Sequence, residues 1–240
     1  MRRYALEKLI EWKNKKNRKP LILKGARQVG KTWLMKEFGK QCFKNTAHIN
    51  FDNNKRMEDV FSTDYDIERI LMSINIETGV KIVPGETLII FDEIQENPRA
   101  IAALKYFYEN APQHAIIAAG SLLGVAIHEG VSFPVGKVDT LELNPLSFKE
   151  FLLALGEEGL VSLIEKKEQG LIEAYHDKLQ DYLRKYYYIG GMPEVVSNFV
   201  ENKDFTEVRE LQNRIIELYE SDFSKHTTVG ELPKIRMVWN

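Results

Sequence analysis

Eight consecutive residues, Gly25-Ala26-Arg27-Gln28-Val29-Gly30-Lys31-Thr32, satisfy the pattern G-x-x-x-x-G-K-[ST] without a mismatch. The chemistry such a stretch supports is that of an anion cradle. Gly25 and Gly30 let the backbone turn so that successive N–H groups converge on phosphate oxygens, and a helix beginning there adds the positive end of its dipole. Lys31 is spaced to reach the β and γ phosphates of a nucleotide, and the Thr32 hydroxyl to ligate Mg²⁺. Arg27 either faces a phosphate or packs outward. Trp33 either lies near the base or packs under the helix.

A second pair of residues complements the loop. Glu86-Thr87-Leu88-Ile89-Ile90-Phe91 is a nearly all-apolar strand that delivers Asp92 and Glu93 at its C-terminal end, the edge where ligands collect in doubly wound α/β sheets. Asp92 can hold Mg²⁺ alongside Thr32, and Glu93 can polarise the water that attacks a γ phosphate. A further buried strand, Ala115–Ala119, runs into Gly120-Ser121. Ser121 is read either as a polar sensor of the γ phosphate or as a helix cap. It sits one position early for G-x-S-x-G, which excludes a hydrolase elbow. Arg99 and Arg184 are candidates for a stabilising arginine in cis; one supplied in trans would imply an oligomer.

These residues need elements to hold them. Pro20-Leu21-Ile22-Leu23-Lys24 reads as the strand entering the loop and Trp33 to Phe38 as the helix leaving it. A short helix over Tyr4 to Trp12 precedes them, followed by a cationic connector from Lys13 to Lys19. Thr46 to Phe51 is a second strand, and Ile67, Ile70, Leu71 and Ile74 recur at helical spacing before Gly79 and Pro84-Gly85. Pro98 opens a helix through Tyr108, and Lys137 to Leu143 alternates apolar with polar as an edge strand would. Beyond Asn144-Pro145 only helices are expected, over Ser147 to Leu155, Leu160 to Lys167, Leu171 to Ile189 and Phe205 to Phe223, with Gly190-Gly191-Met192-Pro193 as a break.

Composition bounds the alternatives. With 240 residues, 44% hydrophobic and 28% charged, the chain can bury a proper core, and a formal charge of −2 carries no global basic field of the kind that advertises nucleic acid. Cys42 is the only cysteine, so an intrachain disulfide and a multi-cysteine zinc cluster are excluded. No signal peptide or membrane span is evident, which favours a cytoplasmic setting. His48, His114, His128, His176 and His226 show no metal-ligand spacing and read as structural or surface residues.

Several stretches together resemble a prokaryotic AAA-type ATPase family related to the STAND NTPases. They are Lys19 to Thr32, Thr87 to Gln95, Ala119 to Gly124, Ser132 to Val138, Asn144 to Leu152 and Gly190 to Val196. The resemblance implies an α/β P-loop NTPase fold of the ASCE/AAA-like kind, with a parallel five-stranded sheet of order 5-1-4-3-2 followed by a helical or winged-helix lid. On that basis residues 1–144 are the expected ATPase core and 145–240 a helical lid domain truncated at its C-terminus. Relatives continue into a C-terminal domain of nuclease-like character, through which a DNA or protein partner would be engaged. Absence of a guanine-reading N-K-x-D tetrapeptide, together with the resemblance, favours ATP with Mg²⁺. The expected function is a Mg-dependent ATPase that drives a conformational switch. The alternatives are a nucleotide-gated binding module with negligible turnover and a small-molecule kinase. Glu93 argues against the kinase, since a phosphotransferase must avoid activating water.

Overall fold

Strands that are apolar at every position are covered on both faces, and that condition is met in the computed structural model, which describes residues 1–120, 133–226 and 232–239. Five strands, β1 (Leu21–Lys24), β2 (Asn45–Asn50), β3 (Thr87–Asp92), β4 (Ala115–Ala119) and β5 (Asp139–Glu142), form one sheet in the order β2-β3-β4-β1-β5. All four pairings are parallel. This is the 5-1-4-3-2 order that the family resemblance implies, with β5 at the edge where its alternating pattern suits it.

Parallel neighbours require crossovers, and helices supply them. After α1 (Ala5–Lys13), α2 (Lys31–Cys42) follows β1, α3 (Lys55–Thr63) and α4 (Ile67–Thr78) follow β2, and a 3₁₀ turn (Ile94–Glu96) with α5 (Pro98–Asn110) follows β3. Side-chain caps set the starts of α3, α4 and α5: Asn54 accepts from Met57 N, Asp66 from Glu68 and Arg69 N, and Asn97 from Ala100 N. Gly79, left-handed at φ 68°, ends α4.

Ile22, Ile49, Ile89, Phe91 and Ile116 turn one face of the sheet toward Phe61, Ile70, Leu104 and Phe107 of α3 to α5. Phe51, Phe61 and Phe91 meet pairwise edge to face at 5.5–5.8 Å, each contact contributing about 0.5–1.5 kcal/mol beyond area burial. The alternate residues Leu21, Leu23, Leu88, Ile90 and Ile117 are buried as well. Gly39 of α2 approaches Thr46 and Leu88 so closely that a Cβ there would force Thr46 aside.

Contacts divide the chain into Arg3–Asn144 and a second unit of Met1–Arg2 with Pro145–Asn240. The regular elements of the second unit, among its described residues, are all helices: α6 (Phe148–Ala154), α7 (Glu158–Lys166), α8 (Gln169–Ala174), α9 (His176–Ile189), α10 (Pro193–Asn202), α11 (Phe205–His226) and α12 (Leu232–Trp239). Ser147 and Glu150 close a capping box at the start of α6. Phe151, Ile189, Val195, Val196, Phe199, Val208 and Ile215 make its core.

Two expectations are corrected here. The single helix over Leu171 to Ile189 is broken at Tyr175 into α8 and α9, because α8 buries no residue while Leu179 and Tyr182 of α9 pack on Leu152, Leu160 and Val161. Its apolar stripe therefore serves two helices. The break holds from Gly190 to Met192, but Pro193 opens α10, a helix not among those expected, at the position where its missing N–H costs nothing. Gly191 before it lies against the Leu146 backbone, where a Cβ would collide. Among the described residues no helix is long and apolar enough to cross a membrane.

Candidate nucleotide site

The loop between β1 and α2 gathers its donors through its own backbone. Gly25 has φ 155° and Gly30 φ 91°, and Gln28 joins them on the left-handed side at φ 65°. A Cβ on Gly25 would intrude on the Leu143 carbonyl oxygen. Leu143 is fixed there because its N–H donates to Lys24 O at 2.7 Å. Gly25→Ala is thus expected to lower stability by about 1–3 kcal/mol, read as a reduced denaturant midpoint, with nucleotide affinity falling in the same variant.

Lys31 opens α2 with only 8% of its surface exposed. Its ammonium donates to Gly25 O at 2.9 Å and Ala26 O at 2.8 Å, so the loop folds back over its own lysine. Burial lowers its pKa, while the charges of Glu93 and Asp92 pull the other way. Both carboxylates therefore lie within electrostatic reach of the loop. The next residue makes the link directly: Thr32 Oγ1 donates to Asp92 Oδ2 at 2.7 Å.

Asp92 ends β3 and is 4% exposed. Burial raises its pKa, but hydrogen bonds from His48, Thr32 and the Glu93 N–H, with the electrostatic pull of His48, together more than offset that, and the carboxyl stays below the usual range. His48 of β2 sits with Nε2 at 3.3 Å from Asp92 Oδ2. The sequence reading placed His48 among structural or surface residues; the structure puts it beside the site. Its signal was parity: His48 pairs with Ile90 in register, two residues from Asp92, so alternate residues of neighbouring strands share a face.

Glu93 then adopts φ 49°, ψ 44°, a conformation uncommon for a residue with a side chain. That turn separates consecutive carboxylates. Asp92 is held by Thr32 and His48, whereas Glu93 accepts from Gln95 Nε2 at 2.7 Å. Gln95, unassigned from the sequence, also leaves Oε1 buried without a partner among the described residues, as Gln28 does inside the loop.

The remaining candidates divide. Val29 is wholly buried behind the loop, Ala26 and Arg27 are exposed on it, and Arg27 is close enough to Lys31 to depress its pKa. Trp33 is 46% exposed on α2. Arg99 donates to Phe61 O at 2.8 Å and lies over the Tyr65 ring, an engagement within the fold. Arg184 belongs to the helical unit, with Gln180 as a contact. Ser121 lies outside the described residues. Among the described residues no three His, Cys, Asp or Glu side chains converge as a metal cage. A hydroxyl beside one carboxylate is instead the hard-oxygen set that suits Mg²⁺ shared with phosphate oxygens, and the donors present fit that ion.

The AAA domain family matches residues 17–152, and a domain of unknown function, DUF8612, matches residues 180–240. No curated protein matches the sequence. Among solved structures, the chain is similar to the Walker-type ATPase PABY2304 of Pyrococcus abyssi, with TM-score 0.55 and 17% identity over 98% of this chain and 75% of that one. Weaker likenesses are to Drosophila ORC bound to DNA (TM-score 0.46, 15% identity, 88% and 66% coverage) and Aeropyrum pernix ORC2 (TM-score 0.40, 16% identity, 65% and 49%). The first supports the fold alone. With a complete phosphate loop, an acidic strand tip hydrogen-bonded to it and a family match over more than half its length, this chain belongs to the AAA domain family of P-loop ATPases.

Proposed function

We propose that the protein binds ATP with Mg²⁺ and hydrolyses it, using the cycle to switch the conformation of an attached lid or effector region. The observation that carries this reading is the hydrogen bond from Thr32 Oγ1 to Asp92 Oδ2 at 2.7 Å, which joins the phosphate loop to the acidic strand tip. Two motifs 60 residues apart thereby become one site.

In this reading the N–H groups from Ala26 to Thr32, with the ammonium of Lys31, take the phosphates. Lys31 exchanges its two neutral carbonyl partners for anionic phosphate oxygens, so that both sides of the contact carry charge. Thr32 and Asp92 would hold Mg²⁺, which when bound neutralises charge on the phosphate oxygens. Glu93 accepts the proton of the attacking water, and Gln95 orients its carboxylate. Ser121 is the proposed γ-phosphate sensor and Trp33 a proposed neighbour of the base. Residues 1–144 act as the ATPase core and 145–240 as the moving part. The STAND relationship, a DNA or protein partner reached through a further C-terminal region, oligomerisation and a cytoplasmic setting belong to the same proposal.

The test is phosphate release by the whole chain with Mg²⁺ and with EDTA, in the presence and absence of DNA. Release that requires Mg²⁺ supports hydrolysis. Tight ATP binding with no release under any condition would favour a nucleotide-gated binding module instead.

A further inference from the structure

We infer that Arg3 is a positioning residue for the phosphate loop: by holding the Val29 carbonyl it presents the N–H of Gly30 to phosphate. The inference rests on the nucleotide-binding reading above. Arg3 is a charged residue near the start of the chain, yet only 5% of its surface is exposed. One terminal nitrogen donates to Val29 O at 3.1 Å and the other to Asn144 O at 2.6 Å, across 26 and 141 residues of sequence. A buried guanidinium is costly unless its donors are satisfied, and here two of them are satisfied by main-chain oxygens.

The consequence follows from the peptide unit. A trans peptide is planar, with its carbonyl and N–H on opposite sides. Drawing Val29 O toward Arg3 therefore turns the Gly30 N–H away from it. Gly30 is the residue before α2 and is left-handed at φ 91°, ψ 27°, so its peptide could rotate freely if nothing held it. Its N–H has no acceptor within the described chain, whereas its carbonyl accepts from Leu34 N at 2.9 Å. Arg3 and the first turn of α2 thus grip the loop from two sides and leave one backbone donor oriented for an anion.

The second arm of Arg3 gives the device its rigidity. Asn144 is the last residue of the unit that contains the site, and Leu143 next to it is bonded to Lys24 at the end of β1. Arg3 therefore braces the loop against a strand end that is already fixed. A lysine does this poorly, because it offers one nitrogen where the planar guanidinium sends separate nitrogens to carbonyls on two different segments.

The experiment measures affinity for a fluorescent ATP analogue in the wild type, Arg3→Ala, Arg3→Lys and Lys31→Ala, with melting temperatures recorded alongside. Arg3→Ala and Arg3→Lys should each bind about tenfold more weakly, the loss of one charge-assisted contact. Millimolar guanidinium should restore affinity to Arg3→Ala, and sodium at equal ionic strength should not. Wild-type affinity in Arg3→Ala, or full recovery in Arg3→Lys without any guanidinium effect, would overturn the assignment while leaving nucleotide binding intact. Should Arg3→Ala fail to fold, Arg3→Lys alone decides: unchanged affinity rejects the bracing role, and a folded, weakened variant supports it. Equal affinity in wild type and Lys31→Ala would overturn the nucleotide reading itself.

Discussion

Lys31→Ala is expected to weaken ATP binding by about two orders of magnitude while leaving the melting temperature at or slightly above that of the wild type. The two effects have separate causes. In the free protein the ammonium is buried and its partners are neutral carbonyls of Gly25 and Ala26. Burial lowers its pKa, which means that the fold disfavours the charged form. Truncation removes that cost along with two ammonium–carbonyl hydrogen bonds, and the two losses oppose each other, so stability changes little. When a triphosphate occupies the loop, the same ammonium would face anionic oxygens in a partly desolvated hollow, and loss of that contact is worth about 3 kcal/mol, or 100-fold in affinity. Calorimetric titration with ATP beside a thermal melt separates the terms. A variant that loses stability and affinity in parallel would point to a structural lysine instead.

Glu93→Gln should bind ATP within about threefold of the wild type and release phosphate at least 100-fold more slowly, within the usual span of general-base catalysis. Glutamine has nearly the same shape as glutamate, so the tight turn at φ 49° is not further burdened. It keeps an oxygen able to accept from Gln95 Nε2, so the side chain remains anchored. What disappears is the ability to take a proton. Asp92 is untouched by the change, because its side-chain partners are Thr32 and His48 and the Glu93 N–H that donates to it belongs to the main chain. Single-turnover phosphate release, scored against analogue affinity, reads both quantities. Equal turnover in the two proteins would remove Glu93 from the reaction and leave a binding site without a general base.

These expectations could be framed from sequence because the residues involved are local and their elements are strongly patterned. Gly25 to Thr32 is contiguous, and its conformation is imposed by its own glycines and the elements on either side. Thr87 to Phe91 is apolar throughout, which marks a covered strand and therefore fixes where Asp92 and Glu93 emerge. The break at Tyr175 was not visible in the same way. Ile172, Tyr175, Leu179 and Tyr182 keep helical spacing across it, and only packing reveals that α8 buries nothing while α9 does. Pro193 misled for a related reason: the same residue that interrupts a helix also begins one well.

Side chains brought in from a distance were beyond any local pattern. Gln95 reaches Glu93 because the chain enters a 3₁₀ turn after β3, and His48 reaches Asp92 because β2 pairs with β3 in a particular register. Arg3 reaches Val29 across 26 residues, and it reaches Asn144 because β5, just before Asn144, pairs with β1. The amino-acid sequence by itself determined the loop that can cradle phosphate and the strand tip that carries the acids, since each follows from neighbours along the chain, while the order of the parallel sheet joining them was implied by the family resemblance. Tertiary structure alone decided which carboxylate oxygen meets Thr32, what holds Glu93 and what braces the Val29 peptide, because those contacts depend on strand register and on closures spanning up to 141 residues.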